Sequence, residues 1–276
     1  MPTAVLVFDF DPLLRLGDGS VRWETVAIAA AMFAGIVLAG VASRSAGLRP
    51  DDLLFVILGI VPGAVVGGRL GYVLLHPAFF VASPGRIIDP GVGSLELTPG
   101  VVGGAVTGAL VAMLLDGRPG PWLRVGAVPT LVVLAIGKLG GVLGGTGQGL
   151  PTTGEPATAY VGPGPWGSLG PAVPSTPSQV LEALATALLV VLILVGSSLA
   201  PLRRPDGRLF LVALGLWALV RAMVATTWRD PAVLGPLRAE QAIDIAVIAG
   251  TLAVAARIVV SGRCPTEPAP ATEMPD

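Results

Sequence analysis

The stretch GAVPTLVVLAIGKLGGVLGG, residues 126–145, decides the fold class. Its length matches the roughly 20 residues that an α-helix needs to cross the hydrocarbon core of a bilayer, and its only charged side chain is Lys138. A cation at the bilayer centre costs at least about 2.5 kcal/mol on insertion scales, so it faces a protein interior or a water-filled cavity. The stretch therefore predicts a membrane-spanning helix that carries a lysine into the interior of a helical bundle.

Six further apolar stretches predict six more spans. Of the 276 residues, 53% are hydrophobic and 13% are charged, which is well below the roughly 25% charged residues of a soluble domain. Abundant glycine and proline favour packed, interrupted helices over the alternating strands of a membrane β-barrel. We expect an all-α, polytopic membrane bundle of about seven helices. The predicted spans are 24–43, 52–75, 99–115, 126–145, 178–199, 208–228 and 240–261.

The basic residues of the connecting loops predict the orientation, because cytoplasmic loops carry an excess of arginine and lysine. Nine basic residues fall on one side of the predicted membrane and five fall on the other. We therefore expect the N-terminus outside and the C-terminus in the cytoplasm. The nine are Arg44, Arg49, Arg118, Arg124, Arg203, Arg204, Arg208, Arg257 and Arg263, and the five are Arg15, Arg22, Arg86, Arg229 and Arg238.

Residues 1–263 are expected to form a single transmembrane domain. An arm, 1–22, precedes the first span, and two connections rich in Gly, Pro and Ser, 77–98 and 146–177, fall on the outer side. A connection as long as the second is usually functional or disordered in a compact bundle. The polar, proline-rich tail 264–276 is expected to be disordered.

Two more cations lie inside predicted spans, Arg69 in GGRLGYVL and Arg221 in LWALVRAMV. Each could be an arginine that snorkels to the membrane interface. Alternatively, they line one shared polar cavity with Lys138, since one hydrated or anion-filled site costs less than three separate burials. In a membrane, the most abundant anion that could fill such a cavity is a phospholipid headgroup. The intramembrane acids Glu182 and Asp244 could pair with these cations.

A polar pair opens the fifth predicted span. Gln179 and Glu182 are three residues apart, so they share one face of that helix. Such a pair could hydrogen-bond a glycerol headgroup or clamp a basic side chain. Glycines at four-residue spacing, Gly100, Gly104 and Gly108, favour close helix packing in the third span, although thin helices could also leave room for a lipid tail.

Metal and cofactor chemistry finds no support in the residue types. The chain has one histidine, His76, and one cysteine, Cys264, so neither a metal site nor an internal disulfide is expected. The fingerprints of serine hydrolases, zinc peptidases and nucleotide-binding loops are missing from the sequence. We therefore expect no metal and no cofactor.

Six segments in a fixed order resemble the prolipoprotein diacylglyceryl transferases of bacterial inner membranes, over roughly residues 8–255. The family patterns are F-x-FDP followed by H-W-Y-G, then GGRxGYVLFY, H-G-G-L-x-G-G, GRxGNFxNGExWG, xPSQLYEA and GxxRFxVEFxRxPD. The matching segments of this chain are FDFDPLLRL with VRWETVAI (8–16 and 21–28), GGRLGYVLLHP (67–77), TPGVVGGAVTG (98–108), GKLGGVLGGTGQG (137–149), PSQVLEA (177–183) and LVRAMVATTWRDP (219–231).

The resemblance implies a multi-pass transferase of the bacterial inner membrane. It would move the diacylglyceryl group of phosphatidylglycerol onto the lipobox cysteine thiol of a preprolipoprotein and release glycerol phosphate. The implied partners are phosphatidylglycerol, preprolipoprotein signal peptides and membrane lipid, and nucleic acid is not among them. The implied catalytic residues are Lys138, Arg221 and Glu24, with Glu24 or Glu182 accepting the thiol proton. The implied phospholipid-binding residues are Arg69, Lys138, Arg221, Gln179 and Glu182.

The chain departs from the family patterns at several positions. The signature arginine is Lys138, which offers a point charge in place of a planar fork of donors. The other departures are Glu24 for tyrosine, Thr98 for histidine, Gly141 and Gly144 for asparagine, and Thr146 and Ala225 for glutamate. They leave an alternative open, an inactive paralogue that binds phospholipid or lipoprotein precursor. A small transporter is disfavoured, because no inverted repeat is apparent.

Overall fold

The computed structural model describes residues 5–89 and 91–261, and within these ranges the chain is mainly helical. Seven of the described helices are long and apolar enough to cross a membrane, which confirms the expected polytopic bundle. The eighth described α-helix, α3 (Pro77–Ala82), has only six residues. The predicted tail 264–276 lies outside the described residues. The seven are α1 (Trp23–Ser45), α2 (Pro50–Leu75), α4 (Leu97–Asp116), α5 (Pro119–Gly144), α6 (Ser178–Gly196), α7 (Arg208–Val224) and α8 (Ala239–Ser261).

Short strands lie in the connections at one end of the bundle, where α1 begins, α5 ends and α6 begins. In the N-terminal arm, β1 (Val5–Phe8) precedes a hairpin of β2 (Leu13–Leu16) and β3 (Gly19–Arg22). The long connection after α5 contains β4 (Ala157–Tyr160), which pairs in parallel with β1. A second small hairpin, β5 (Ala232–Leu234) with β6 (Leu237–Arg238), joins α7 to α8. Sequence patterning predicted none of these strands, because each is only two to four residues long.

Helices α5 and α7 form the centre of the bundle, and they bury the largest share of their surface among the seven spans. The main core cluster includes Leu131 of α5, Ile193 of α6 and Trp217 of α7. Because α5 packs against both α6 and α7, polar residues near its C-terminal end are brought next to residues of those two helices. This packing places the candidate site.

Helices α2 and α4 approach closely because glycines face each other across their contact. A Cβ added to Gly103 would lie 2.2 Å from the backbone oxygen of Gly63. A Cβ on Gly104 would lie 3.0 Å from Cγ2 of Ile60, and one on Gly108 would lie 2.7 Å from Cγ1 of the same isoleucine. Gly104 and Gly108 therefore lie in a helix contact, as the packing interpretation of the glycine spacing predicts.

Candidate functional site

Glu182 of α6 joins two of the three intramembrane cations. Its side chain is buried, with Oε2 lying 2.9 Å from Nζ of Lys138 and Oε1 lying 3.0 Å from Nη1 of Arg221. Lys138 comes from the last two turns of α5 and Arg221 from the last turn of α7, while Glu182 lies near the start of α6. One carboxylate therefore holds two basic side chains from two different helices in one place.

A second buried acid lies on the other side of Arg221. The Oδ2 atom of Asp244, in α8, is 3.7 Å from Nε of Arg221, and the carboxylate is inaccessible to solvent. The hydroxyl of Thr98 donates a hydrogen bond of 2.7 Å to the other oxygen of Asp244. When all are ionised, Lys138, Arg221, Glu182 and Asp244 carry two positive and two negative charges. The charges of this buried network therefore balance.

Trp228, in the turn after α7, lies against both cations. Its ring centroid is 4.6 Å from the guanidinium carbon of Arg221 and 5.5 Å from Nζ of Lys138. A cation over a tryptophan face gains about 0.5–2 kcal/mol, with the larger values at desolvated sites. The indole therefore helps to keep the two positive charges together.

These groups border an open cavity of about 300 Å³, which lies at the lower end of the range of ligand pockets. Lys138 has 23% of its side chain exposed, whereas Arg221 and Glu182 are buried behind it. Of these two cations, an incoming anion would therefore meet the lysine first. The cavity is lined by Lys138, Gly147, Gln148, Gly167, Ser168, Leu169, Gln179, Glu182, Arg221, Trp228, Arg229 and Asp230.

Arg229 is a further cation at this cavity that the sequence reasoning counted only as a loop residue. Its Nε donates to the backbone oxygen of Gly149 at 2.7 Å, and its Nη2 donates to Oγ of Ser175 at 2.8 Å and to Oε1 of Gln148 at 3.3 Å. Gln148 in turn accepts a hydrogen bond of 2.6 Å from Ser168. These bonds tie the cavity wall together. The available signal was the second arginine of the pattern GxxRFxVEFxRxPD, which falls on Trp228 when the first arginine is Arg221, one residue before Arg229.

Gln179 reaches the cavity beside Glu182, as the shared helix face implies. Its amide nitrogen donates to the hydroxyl of Tyr160 at 2.8 Å, while its buried Oε1 has no hydrogen-bond partner within the described part of the chain. A buried amide oxygen without a partner costs free energy unless a ligand or water donates to it. Burial raises the pKa of Tyr160 to about 12, so its hydroxyl stays protonated at neutral pH.

Arg69 is held by a different part of the molecule and does not line this cavity. Its guanidinium donates to four backbone oxygens of the turn that follows α3 and packs over the ring of Phe80, with Cζ 5.3 Å from the centroid. A planar fork of five donors suits this set of carbonyls. Of the three cations expected to share one cavity, Lys138 and Arg221 do so and Arg69 does not. The assignment of Arg69 to phospholipid binding stays a prediction. The four acceptors are Arg86, Ile87, Asp89 and Val92.

Glu24, the other acid expected to take part in catalysis, lies at the start of α1. Its carboxylate accepts a hydrogen bond from Thr146, directly after the C-terminal cap of α5. Thr146 precedes Gly147 and Gln148 of the cavity wall, so Glu24 reaches the cavity through that segment. Its catalytic role stays a prediction.

Comparison with known proteins agrees with the family resemblance of the sequence motifs. The family model described as prolipoprotein diacylglyceryl transferase matches residues 12–257. A protein from Nostoc sp. named phosphatidylglycerol–prolipoprotein diacylglyceryl transferase is 27% identical over 274 residues, covering 95% of this chain and 94% of that protein. A protein of the same name from Geobacter sulfurreducens is 28% identical and covers 82% of this chain and 85% of its own length. A third, from Clostridioides difficile, is 23% identical with 84% and 89% covered.

Proposed function

The chain belongs to the prolipoprotein diacylglyceryl transferase family, and we propose that it transfers the diacylglyceryl group of phosphatidylglycerol to the lipobox cysteine of preprolipoproteins. The observation that carries this proposal is the pair of cations, Lys138 and Arg221, that converge on one open cavity. The relatives named above bear the name of this transferase, which favours transfer over lipid binding alone.

In the proposed reaction, the thiol sulfur attacks the diacylglyceryl carbon that is bonded to the phosphate. A C–S bond forms, the C–O bond to the phosphate breaks, and glycerol phosphate departs with the bonding electron pair. The thiol proton must leave, because the thiolate is the effective nucleophile. Fixed positive charges are most effective where charge develops in a site that excludes water, and Lys138 and Arg221 would meet the departing phosphate there.

Glu182 is the better placed of the two acids expected to accept the thiol proton. It lines the cavity, whereas Glu24 reaches it through Thr146. While Glu182 is ionised, it shares the charges of Lys138 and Arg221. Once it takes the proton, it becomes neutral, and both cations are free to act on the additional negative charge of the phosphate. Proton transfer and leaving-group stabilisation would thus be coupled through one carboxylate.

Gln179 and Arg229 complete the proposed headgroup site. The unpartnered amide oxygen of Gln179 is an acceptor for a glycerol hydroxyl. Arg229 adds positive charge at the cavity while its hydrogen bonds shape the wall. The acyl chains of phosphatidylglycerol would remain in the bilayer that the helices span.

The transferase assay tests this function directly. Purified protein in detergent is incubated with radiolabelled phosphatidylglycerol and a lipobox peptide, and the thioether product and glycerol phosphate are measured. We expect both products in equal amounts, and no product with a peptide whose lipobox cysteine is replaced by serine. Phosphatidylglycerol binding without product would support the alternative, a paralogue that binds phospholipid or lipoprotein precursor and has lost transfer.

We further propose that the protein lies in the bacterial inner membrane, with the cavity end of the bundle outside. The nine-to-five distribution of loop arginines supports this orientation. A reporter fused after Arg263 should be active in its cytoplasmic form, and one inserted after Gly85, in the connection 77–98, should be active in its periplasmic form. A periplasmic signal from the Arg263 fusion would contradict the proposed orientation.

A further inference from the structure

The carboxylate of Glu24 lies in a contact between the first turn of α1 and the end of α5. Its Oε1 accepts the hydrogen bond from Thr146, while Oε2 points at Gly144. A Cβ on Gly144 would lie 2.3 Å from that oxygen and 3.0 Å from both Cβ and Cδ of Glu24. The carboxylate therefore occupies the volume that any side chain at position 144 would need.

A second glycine allows α1 to come this close. Gly140 is one helical turn before Gly144, and a Cβ there would lie 3.0 Å from Cβ of Ala27 and 3.4 Å from the backbone oxygen of Glu24. Small residues at four-residue spacing let two helices approach. The glycines of α5 thus admit both the backbone of α1 and the side chain of Glu24.

Thr146 connects Glu24 to the cavity wall. It is packed from the other side by Gly167, where a Cβ would lie 2.2 Å from Cγ2 of the threonine, and the backbone nitrogen of Gly167 donates to the oxygen of Gly144 at 2.8 Å. Gly167 and the two residues after Thr146 line the cavity. A displacement of Thr146 would therefore move two parts of the cavity wall.

Positions 24, 144 and 146 are three of the departures from the family patterns, and the fold brings them into mutual contact. The patterns place tyrosine, asparagine and glutamate there, whereas this chain has Glu24, Gly144 and Thr146. A glutamate at 146 beside Glu24 would place two carboxylates at one site, which is unfavourable because like charges repel. The three residues of this chain are therefore compatible with one another, whereas restoring glutamate at position 146 alone would be unfavourable.

We propose that Glu24 is a positioning residue that supplies from α1 the carboxylate that the family pattern places at position 146, with Gly144 providing the space for it. This inference rests on the proposed transferase function. In this role the oxygen of Glu24 holds Thr146, and through it the cavity wall, at the distance that the headgroup requires. The role needs a hydrogen-bond acceptor of the right length and does not need a proton acceptor.

The test separates these two roles with a conservative variant. Glu24→Gln keeps an oxygen that can accept the bond from Thr146 and loses the charge, so we expect a transfer rate within about 3-fold of the unmodified protein. Glu24→Ala loses the acceptor, and we expect a fall of about 10- to 100-fold, since a displacement of about 1 Å in a site can cost 100-fold. If Glu24→Gln is as impaired as Glu24→Ala, the carboxylate acts through its charge and the positioning role is overturned.

A double-mutant cycle tests the shared space. Gly144→Ala alone should displace Glu24 and slow transfer. Gly144→Ala added to Glu24→Ala should cause a smaller further loss, because the carboxylate 2.3 Å away is gone and the contact of 3.0 Å with Cβ of residue 24 is left; the effects of contacting residues are not additive. Additive effects would overturn the proposal. Gly126, which has nothing within 4 Å of an added Cβ, serves as the control site for a Gly→Ala change in the same helix.

The exchange of the acidic side chain between positions 146 and 24 is tested by moving the acid back. Thr146→Glu alone should impair the protein, and Thr146→Glu with Glu24→Tyr should recover at least part of the loss. An unimpaired Thr146→Glu protein, or no recovery in the pair, would contradict the exchange. Each variant is also followed by its midpoint of thermal unfolding in detergent. If the unmodified protein has no transferase activity, the proposed function fails, while coupling of the melting temperatures still decides the contact between these positions.

Discussion

Replacing Glu182 with glutamine is expected to nearly abolish transfer while tightening the binding of phosphatidylglycerol. The amide keeps the size of the side chain but cannot accept the thiol proton, and general-base contributions are about 100- to 10,000-fold. The same change removes one of the two negative charges from the network of Lys138, Arg221, Glu182 and Asp244. The remaining net positive charge favours an anionic headgroup. The rate of thioether formation and the dissociation constant for phosphatidylglycerol should therefore both fall, so that transfer is lost while lipid binding becomes tighter.

Two controls make this result interpretable. Breaking a buried ion pair can destabilise a protein by about 3–5 kcal/mol, so thermal unfolding in detergent must show that Glu182→Gln remains folded. Asp18→Asn removes an acid from an exposed turn of the arm, and it should change neither rate nor binding. Transfer at the unmodified rate by Glu182→Gln would exclude Glu182 as the proton acceptor, and weaker lipid binding would exclude its competition with the phosphate.

Replacing Lys138 with alanine is expected to slow transfer by about 100- to 1,000-fold, on the scale of losing one group that stabilises developing charge. Lys138 is more exposed than Arg221, the other cation that pairs with Glu182, so it would be the first of the two to meet the headgroup phosphate. Lys138→Arg should hold or raise the rate, because a guanidinium keeps the charge and offers two parallel donors to phosphate oxygens. Rates are measured at saturating and at limiting phosphatidylglycerol to separate binding from transfer.

The two substitutions at Lys138 also separate transfer from lipid binding alone. In a binding paralogue, Lys138→Ala should weaken phosphatidylglycerol binding, and Lys138→Arg should yield no transfer, because Thr98, Gly141 and Gly144 still lack the pattern's histidine and asparagines. Arg204→Ala, on the predicted cytoplasmic side, is the matched loss of a cation away from the cavity. Lipid binding and transfer that are both indifferent to Lys138→Ala would remove this residue from the site.

Several features of the site could be predicted from single residues. Lys138 and Arg221 were expected to face a shared polar interior, because a cation facing lipid tails is costly wherever the rest of the chain lies. Gln179 and Glu182 were expected to act together, because three residues of helix place them on one face. Each of these inferences depends on the chemistry of one residue and its immediate neighbours. The structure places these four residues at one cavity.

Other features depended on contacts between distant parts of the chain. Arg69 carries the same charge as Arg221, yet four backbone oxygens beyond α3 take up its donors, and sequence spacing does not reveal that turn. Arg229 lies in a loop, where an arginine costs nothing, so its presence at the cavity gave no signal from composition. Glu24 and Thr146 are 122 residues apart, and only the packing of α1 on α5 brings them into contact.

The sequence by itself determined the number of spans and the interior location of Lys138 and Arg221, because the free energy of transferring a segment or a charge into lipid is set locally. Only the tertiary structure decided which charges meet. Ion pairs such as Lys138 with Glu182 form where helix packing leaves two side chains within about 3 Å, the usual reach of a charge-assisted hydrogen bond. That distance depends on every glycine and side chain in the contacts between α5, α6 and α7, and no single segment encodes it.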